Sequence, residues 1–287
     1  MADRVAIITD SVACLPMELV KKYDIEVVPI ELNFGDKAYR DGLDISPNEF
    51  YQMLRQADKL PTTAAALPGS YLEAYHRASQ RSNKILCITL SAKLSGMFNS
   101  AQLAMEKVDG ALPNVLIKVM DCGTAAAAEG LVVLAAAKAA ASGKNLIEII
   151  DITMNVMKRV HLFVMVDTLN YLVKGGRVPQ VAALASALLK IKPIITITDG
   201  EVHPVTNPRT VRGAMERILQ LMRKEILPGQ SLYGAVMHAD AMDEAMLLKE
   251  QISAQFDCAE LFITEFTPVM GAHTGPGVIG VAFYSGN

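Results

Sequence analysis

Apolar positions along this chain follow two alternating patterns. Residues 5–8, 25–30, 85–90 and 115–120 are short, β-branched and apolar at consecutive positions, which predicts strands buried on both faces. Between them, residues 16–23, 47–57, 69–81 and 96–108 space their apolar side chains three and four apart and predict amphipathic helices. The second of these has its own start signal, Ser46 as N-cap and Pro47 at the first helical position. Strand, helix, strand repetition predicts a mainly parallel sheet covered on both sides. Leu32-Asn33-Phe34 and Ala38-Tyr39-Arg40 flank Gly35-Asp36-Lys37 and predict a small hairpin.

Two helical stretches follow, 124–141 and 146–158, and then strand patterns restart at 161–166, 194–198, 232–237, 261–264 and 278–284. That restart divides the chain into an N-terminal α/β domain, residues 1–158, and a C-terminal α/β domain, residues 159–287. Asp199-Gly200 is a two-residue type I′ hairpin signal, so the second sheet should be mixed. Residues 125–141 are mostly Ala, Val and Leu, but Glu129, Gly130 and Lys138 interrupt them well short of the ~20 apolar residues a membrane span needs. A core helix packed tightly on a sheet is expected there. The fold class is therefore α/β, with two α/β domains, the first with a mainly parallel sheet and the second with a mixed one.

Composition narrows the function. The 287 residues are 51% hydrophobic and 6% aromatic with no Trp, too apolar for disorder and too poor in rings for base stacking. Charge is nearly balanced, 27 Lys and Arg against 30 Asp and Glu, so nothing global favours nucleic acid. Cys14, Cys87, Cys122 and Cys258 have no C-x-x-C spacing, and the start Met1-Ala2-Asp3-Arg4 lacks a signal-peptide pattern, which fits a reduced, cytoplasmic protein. The five histidines have no metal-ligand spacing, so neither metal nor cofactor is expected. A nucleophile elbow, a Walker run and a first-strand G-x-G-x-x-G are all missing, which favours binding over catalysis.

Polar clusters recur just beyond the predicted strands, where open α/β sheets hold ligands. Thr9-Asp10-Ser11 reads first as a cap for the next helix. Thr62-Thr63 either caps the following helix or offers a hydroxyl to a ligand. Ser95-Gly96 opens a helix whose N-terminus favours an anion, and Gly96 removes a side chain from that approach. From Thr168 through Thr198 there is no acid, while Lys174, Arg177, Lys190 and Lys192 are basic. A local positive face is expected, with Gly175-Gly176 presenting Arg177 on a mobile loop and Arg209 and Arg212 extending the patch. His273-Thr274-Gly275-Pro276-Gly277 reads as a turn-rich hinge carrying a titratable side chain.

Thr9-Asp10-Ser11, Leu94-Ser95-Gly96, Tyr171-Leu172 with Lys174-Gly175-Gly176-Arg177, Lys192-Pro193-Ile194, Asp199-Gly200, Arg209-Thr210 and His273-Thr274-Gly275-Pro276-Gly277 together resemble the DegV family, over essentially the whole chain. The resemblance implies a two-domain α/β protein enclosing one long-chain fatty acid. In bacteria such proteins serve as the fatty-acid-binding subunit of fatty acid kinase, presenting the acyl chain to a separate ATP-using kinase subunit. It implies carboxylate contacts from Thr63, Ser95 and His273, supporting loops at Ser11, Gly96 and Gly275, and partner- or phosphate-facing roles for Arg177 and Arg209. Where the family usually has Thr-Ser-x-Pro-Ser, this chain has Thr63-Ala64-Ala65-Ala66-Leu67, and Met97 stands where Thr is common.

Elementary energetics agree. Burying sixteen carbons at ~0.8 kcal/mol per methylene gives about 10–12 kcal/mol of gross driving force, enough to offset ordering costs. Two hydroxyls and an imidazole would hold a carboxylate without blunting its nucleophilicity as a bidentate Arg would. The expectation is thus a subunit with no catalytic residue of its own. A lipid carrier or sensor without a kinase, and a stand-alone acyl hydrolase using Ser95 with His273, are the alternatives.

Overall fold

A computed structural model gives the structure over residues 4–108, 112–177 and 191–286. The chain begins with β1 (Ala6–Asp10), a 3-10 turn (Ser11–Ala13), α1 (Met17–Tyr23), β2 (Glu26–Val28), β3 (Glu31–Phe34), β4 (Lys37–Arg40) and α2 (Pro47–Arg55). It continues through β5 (Thr62–Ala64), α3 (Pro68–Ser79), β6 (Lys84–Thr89), α4 (Met97–Val108), β7 (Leu116–Asp121), α5 (Ala126–Ala141) and α6 (Leu146–Met157). Beyond residue 158 come β8 (His161–Met165), α7 (Asn170–Lys174), β9 (Ile194–Thr198), β10 (Glu201–Thr206) and α8 (Val211–Glu225). The chain closes with β11 (Ser231–Ala239), α9 (Met242–Ser253), β12 (Cys258–Glu265), α10 (Pro268–Thr274) and β13 (Val278–Gly286).

The parallel sheet has the order β2-β1-β6-β7. Its central strand β1 is buried at all five positions, as a strand with helices on both faces must be. The second sheet is mixed, in the order β10-β9-β8-β13-β11-β12, with β11 and β12 parallel and every other neighbour antiparallel. Asp199 and Gly200 both take the left-handed conformation, φ +51° and +79°, that a type I′ turn requires. Ser46 and Glu49 form a reciprocal capping box at the start of α2.

Helix α5 lies between the sheets, against β1 of the first and β11 and β13 of the second, and is buried on every side. Its small residues allow this: a Cβ on Gly130 would run into the carbonyl oxygen of Ala13. No helix among the described residues is long and apolar enough to cross a membrane.

Two segments depart from the sequence reading. Residues 62–64 are a strand, completing a three-stranded sheet β4-β3-β5 around the expected hairpin. Only part of the His273 segment is made of turns: a helix begun by Pro268 takes in His273 and Thr274, while Gly275-Pro276-Gly277 stay irregular with φ +74° and +77° at the glycines.

Candidate functional site

Strands β1 and β6 deliver Val12 and Leu90 from their C-terminal ends to a cavity facing the mixed sheet. Alternation along β8 turns Leu162 and Val164 into this space while Phe163 and Met165 pack beneath α8. Ile195 and Ile197 of β9, Val202 of β10 and Val269 and Met270 of α10 continue a mostly apolar wall. The cavity volume is about 850 Å³ with the solvent at its mouth, and its mostly apolar wall suits an apolar guest.

Polar side chains also line that wall, among them Thr63 from β5, Ser95 before α4, His273 from α10 and Arg177 after α7. Thr63 Oγ1 lies 2.8 Å from His273 Nε2. Burial, assisted by the nearby Arg177 guanidinium, pushes the imidazole down to about 4, so it is neutral near pH 7. Among the described residues its Nδ1 has no hydrogen-bond partner, and it sits against Gly175, where a Cβ would approach it to 2.6 Å. Gly275 has φ +74°, and a Cβ there would overlap the Tyr171 ring, so glycine is what lets α10 close on α7. The Ser95 loop is fixed at its root by Ser91, whose carbonyl accepts from Leu94 and Ser95 N–H and whose hydroxyl donates to Gly200 O at 2.9 Å.

Other expected residues fall elsewhere. Asp10 does act as a cap, accepting from the N–H of Val12 and of Leu90 at 3.0 Å each, and burial pushes its carboxyl up to about 7. Ser11 accepts from Ile30 N–H and lines a second space rather than this one. Gly96 is exposed, and a Cβ there would make an ordinary 3.5 Å contact with Ala65, so the approach does not depend on its missing side chain. Arg177 bonds back to Gly175 O at 2.7 Å. Arg209 is exposed and outside the cavity wall, and Arg212 pairs with Glu216. Lys192 is paired with Asp167, one residue upstream of the acid-free stretch, which trims the positive face; Lys190 lies outside the described residues. Sequence reasoning missed Met270 and Phe266 of the wall, although Thr267-Pro268 is a helix-start signal that points to α10. Among the described residues no group of His, Cys, Asp or Glu is placed to hold a metal ion.

Comparison with known proteins gives a consistent result. The family model of the DegV family, a family described as uncharacterised, matches residues 4–286. A DegV domain-containing protein of Halalkalibacterium halodurans is 34% identical, covering 98% of each chain. Among solved structures, a fatty-acid-binding DegV family protein from Thermus thermophilus superposes with a TM-score of 0.92 at 28% identity, over 98% of this chain and 99% of that one. DegV of Bacillus subtilis, described as a fatty acid binding protein, gives 0.88 at 29% identity with the same coverage.

Proposed function

The chain belongs to the DegV family, and from that premise we propose that it binds one long-chain fatty acid in the channel between its sheets and presents the carboxylate to a separate ATP-dependent kinase subunit. The observation that supports this reading is that Thr63, Ser95 and His273 all line one mostly apolar channel, with Thr63 Oγ1 2.8 Å from His273 Nε2. Fatty acid binding by the Thermus thermophilus and Bacillus subtilis proteins supports it.

The tail supplies affinity by leaving water, and the head meets hydroxyls and a neutral imidazole. Neutral donors orient the carboxylate while leaving its charge available for attack. In the partner's reaction a carboxylate oxygen bonds to the γ-phosphorus of ATP, the bond to the bridging oxygen breaks, and ADP leaves with acyl phosphate formed on the bound chain. In this reading Arg177 meets the incoming phosphate, supported by its place at the channel wall, and Arg209 serves the docking surface, supported by its exposure. Such a division places the work in the cytoplasm, with the kinase and its ATP.

A stand-alone acyl hydrolase is the weaker reading, since the hydrogen-bond partner of His273 is Thr63 and not Ser95. A carrier without a kinase draws support from the substituted stretch Thr63–Leu67, which ends in an exposed Leu67. Denaturing extraction followed by mass spectrometry, with uptake of labelled palmitate, tests the binding half. An empty protein that takes up no palmitate or oleate refutes it. Acyl phosphate formation with a kinase subunit and ATP tests the second half: Arg177→Ala and Arg209→Ala should keep the lipid and lose turnover, and full turnover in both removes that role.

A further inference from the structure

Strand β9 pairs with β8 only as far as Ile195, and β10 pairs with β9 alone among the described residues, so residues 196–203 form a two-stranded tongue beyond the body of the mixed sheet. Thr196, Ile197 and Val202 of that tongue nevertheless belong to the channel wall. A two-stranded ribbon has little stability of its own and takes its place from what it rests on. The tip of this one rests on the loop after β6: Ser91 Oγ donates to Gly200 O at 2.9 Å, and Lys93 Nζ lies 3.3 Å from Glu201 Oε1. The seat is close, since a Cβ on Gly200 would come within 2.5 Å of Ser91 Oγ.

Ser91 is 1% exposed, and each of its polar atoms is engaged. Its N–H donates to Thr124 O at 2.8 Å, and its carbonyl accepts from Leu94 N–H at 3.0 Å and Ser95 N–H at 3.2 Å. Its hydroxyl, while donating to Gly200 O, accepts from Lys93 N–H at 3.2 Å. One oxygen therefore shapes the turn that delivers Ser95 and holds the tongue as well. Thr124, at the third contact, leads into Ala125 and Ala126, two more residues of the channel wall.

Of the two contacts at the tip, the Lys93–Glu201 pair is exposed on both sides and contributes little in water. The buried Ser91 bond is the stronger tie, because breaking it leaves Gly200 O and Lys93 N–H without that partner. Ser91 is not itself in the channel wall, whereas Leu90, Leu94 and Ser95 are. Any effect it has on a bound lipid passes through the turn and the tongue.

We propose that Ser91 is a positioning residue for carboxylate recognition, its hydroxyl tying the β9–β10 tongue to the Ser95 turn so that the wall along the tail and the donor at the head are set together. This inference rests on the fatty-acid reading above. Equilibrium binding of radiolabelled palmitate and hexadecanol to the delipidated full chain separates head from tail, because the two have chains of equal length and differ at the head. The native chain should prefer palmitate, and Ser91→Ala should cut that preference at least about fivefold, as a hydrogen bond to a charged group loosens. In a Ser95→Ala background Ser91→Ala should change the preference no further, whereas a residue that only supports the fold would weaken both lipids alike. Gly200→Ala pushes the tip off Ser91 from the other side and should lower the preference in the same way; it decides the matter if cooperative unfolding shows Ser91→Ala is not folded. The inference alone is overturned if the native chain prefers palmitate and the folded variants keep that preference, or if Ser91→Ala lowers it as much without Ser95 as with it. A native chain that binds both lipids equally has no carboxylate recognition to position and also overturns it. A native chain that binds neither lipid overturns the fatty-acid reading, and this inference with it.

Discussion

His273 works as a neutral donor or acceptor because burial has already stripped it of its proton. In the unfolded chain an imidazole titrates near 6.5, whereas here it is pushed down to about 4. Between those values the unfolded chain binds the extra proton, so this residue makes folding less favourable as pH falls from 6.5 toward 4. Asp10 acts in the opposite direction: folded, it keeps its proton up to about 7, against 3.8 unfolded, so its contribution is lost as pH rises through that window. His273→Gln should therefore remove the acid-side loss and leave the Asp10 slope exposed. Denaturation midpoints at pH 7 and pH 5 measure it, and an unchanged difference between the two pH values would show the imidazole is not the group responsible. A second residue-scale prediction concerns Leu67. It is the N-cap of α3, provides no cap bond, and is 68% exposed. Leu67→Ser should stabilise the chain by about 1 kcal/mol, read from the urea midpoint at constant slope, because a hydroxyl can accept a first-turn N–H that leucine leaves to water.

Glycines decide how the elements meet around the site, and two of them separate backbone strain from packing. Gly35 turns the β3–β4 hairpin at φ +61°, and nothing lies within 4 Å of where its Cβ would be. Gly275 has a similar φ, but its Cβ would fall inside the Tyr171 ring. Gly35→Ala should cost about 1 kcal/mol and leave palmitate affinity alone. Gly275→Ala should cost more and weaken palmitate binding, because α10 must back away from α7 and take His273 from Thr63. Equal palmitate affinity in the two variants would mean that the helix contact does not position the imidazole. The same elements show where the sequence was readable. Periodic segments such as α4 and α6 and a continuous apolar run such as β6 declare themselves, and the Asp199-Gly200 turn declares itself by chemistry. β5 is three residues long, and α10 is seven residues with a glycine inside, so neither offers a period to detect. Each supplies one partner of the Thr63–His273 contact, so the two residues could be named from the family motif while their mutual contact could not.

Across the whole molecule the channel is a seam between the parallel and mixed sheets, and a ligand filling it would act as core shared by both. The sequence carried the two sheets and their order of elements, but the seam arises from residues far apart in the chain, such as Val12, Val164 and Val269, meeting in space. Anything that binds the folded chain alone stabilises it by mass action, about 2.7 kcal/mol when free ligand is one hundred times Kd. For a chain of this length each kcal/mol raises Tm by about 2–4 °C, so saturating palmitate should raise Tm by about 5–10 °C over the delipidated protein. Val164→Phe tests whether the seam itself is the site. Val164 points from the middle of β8 into the channel, and the larger ring takes the space an acyl chain would use. Scanning calorimetry should find the variant folded and its palmitate-dependent rise in Tm lost. A full rise in the variant would place the lipid somewhere other than between the sheets, because the ring would fill space that an alkyl chain against Val164 needs.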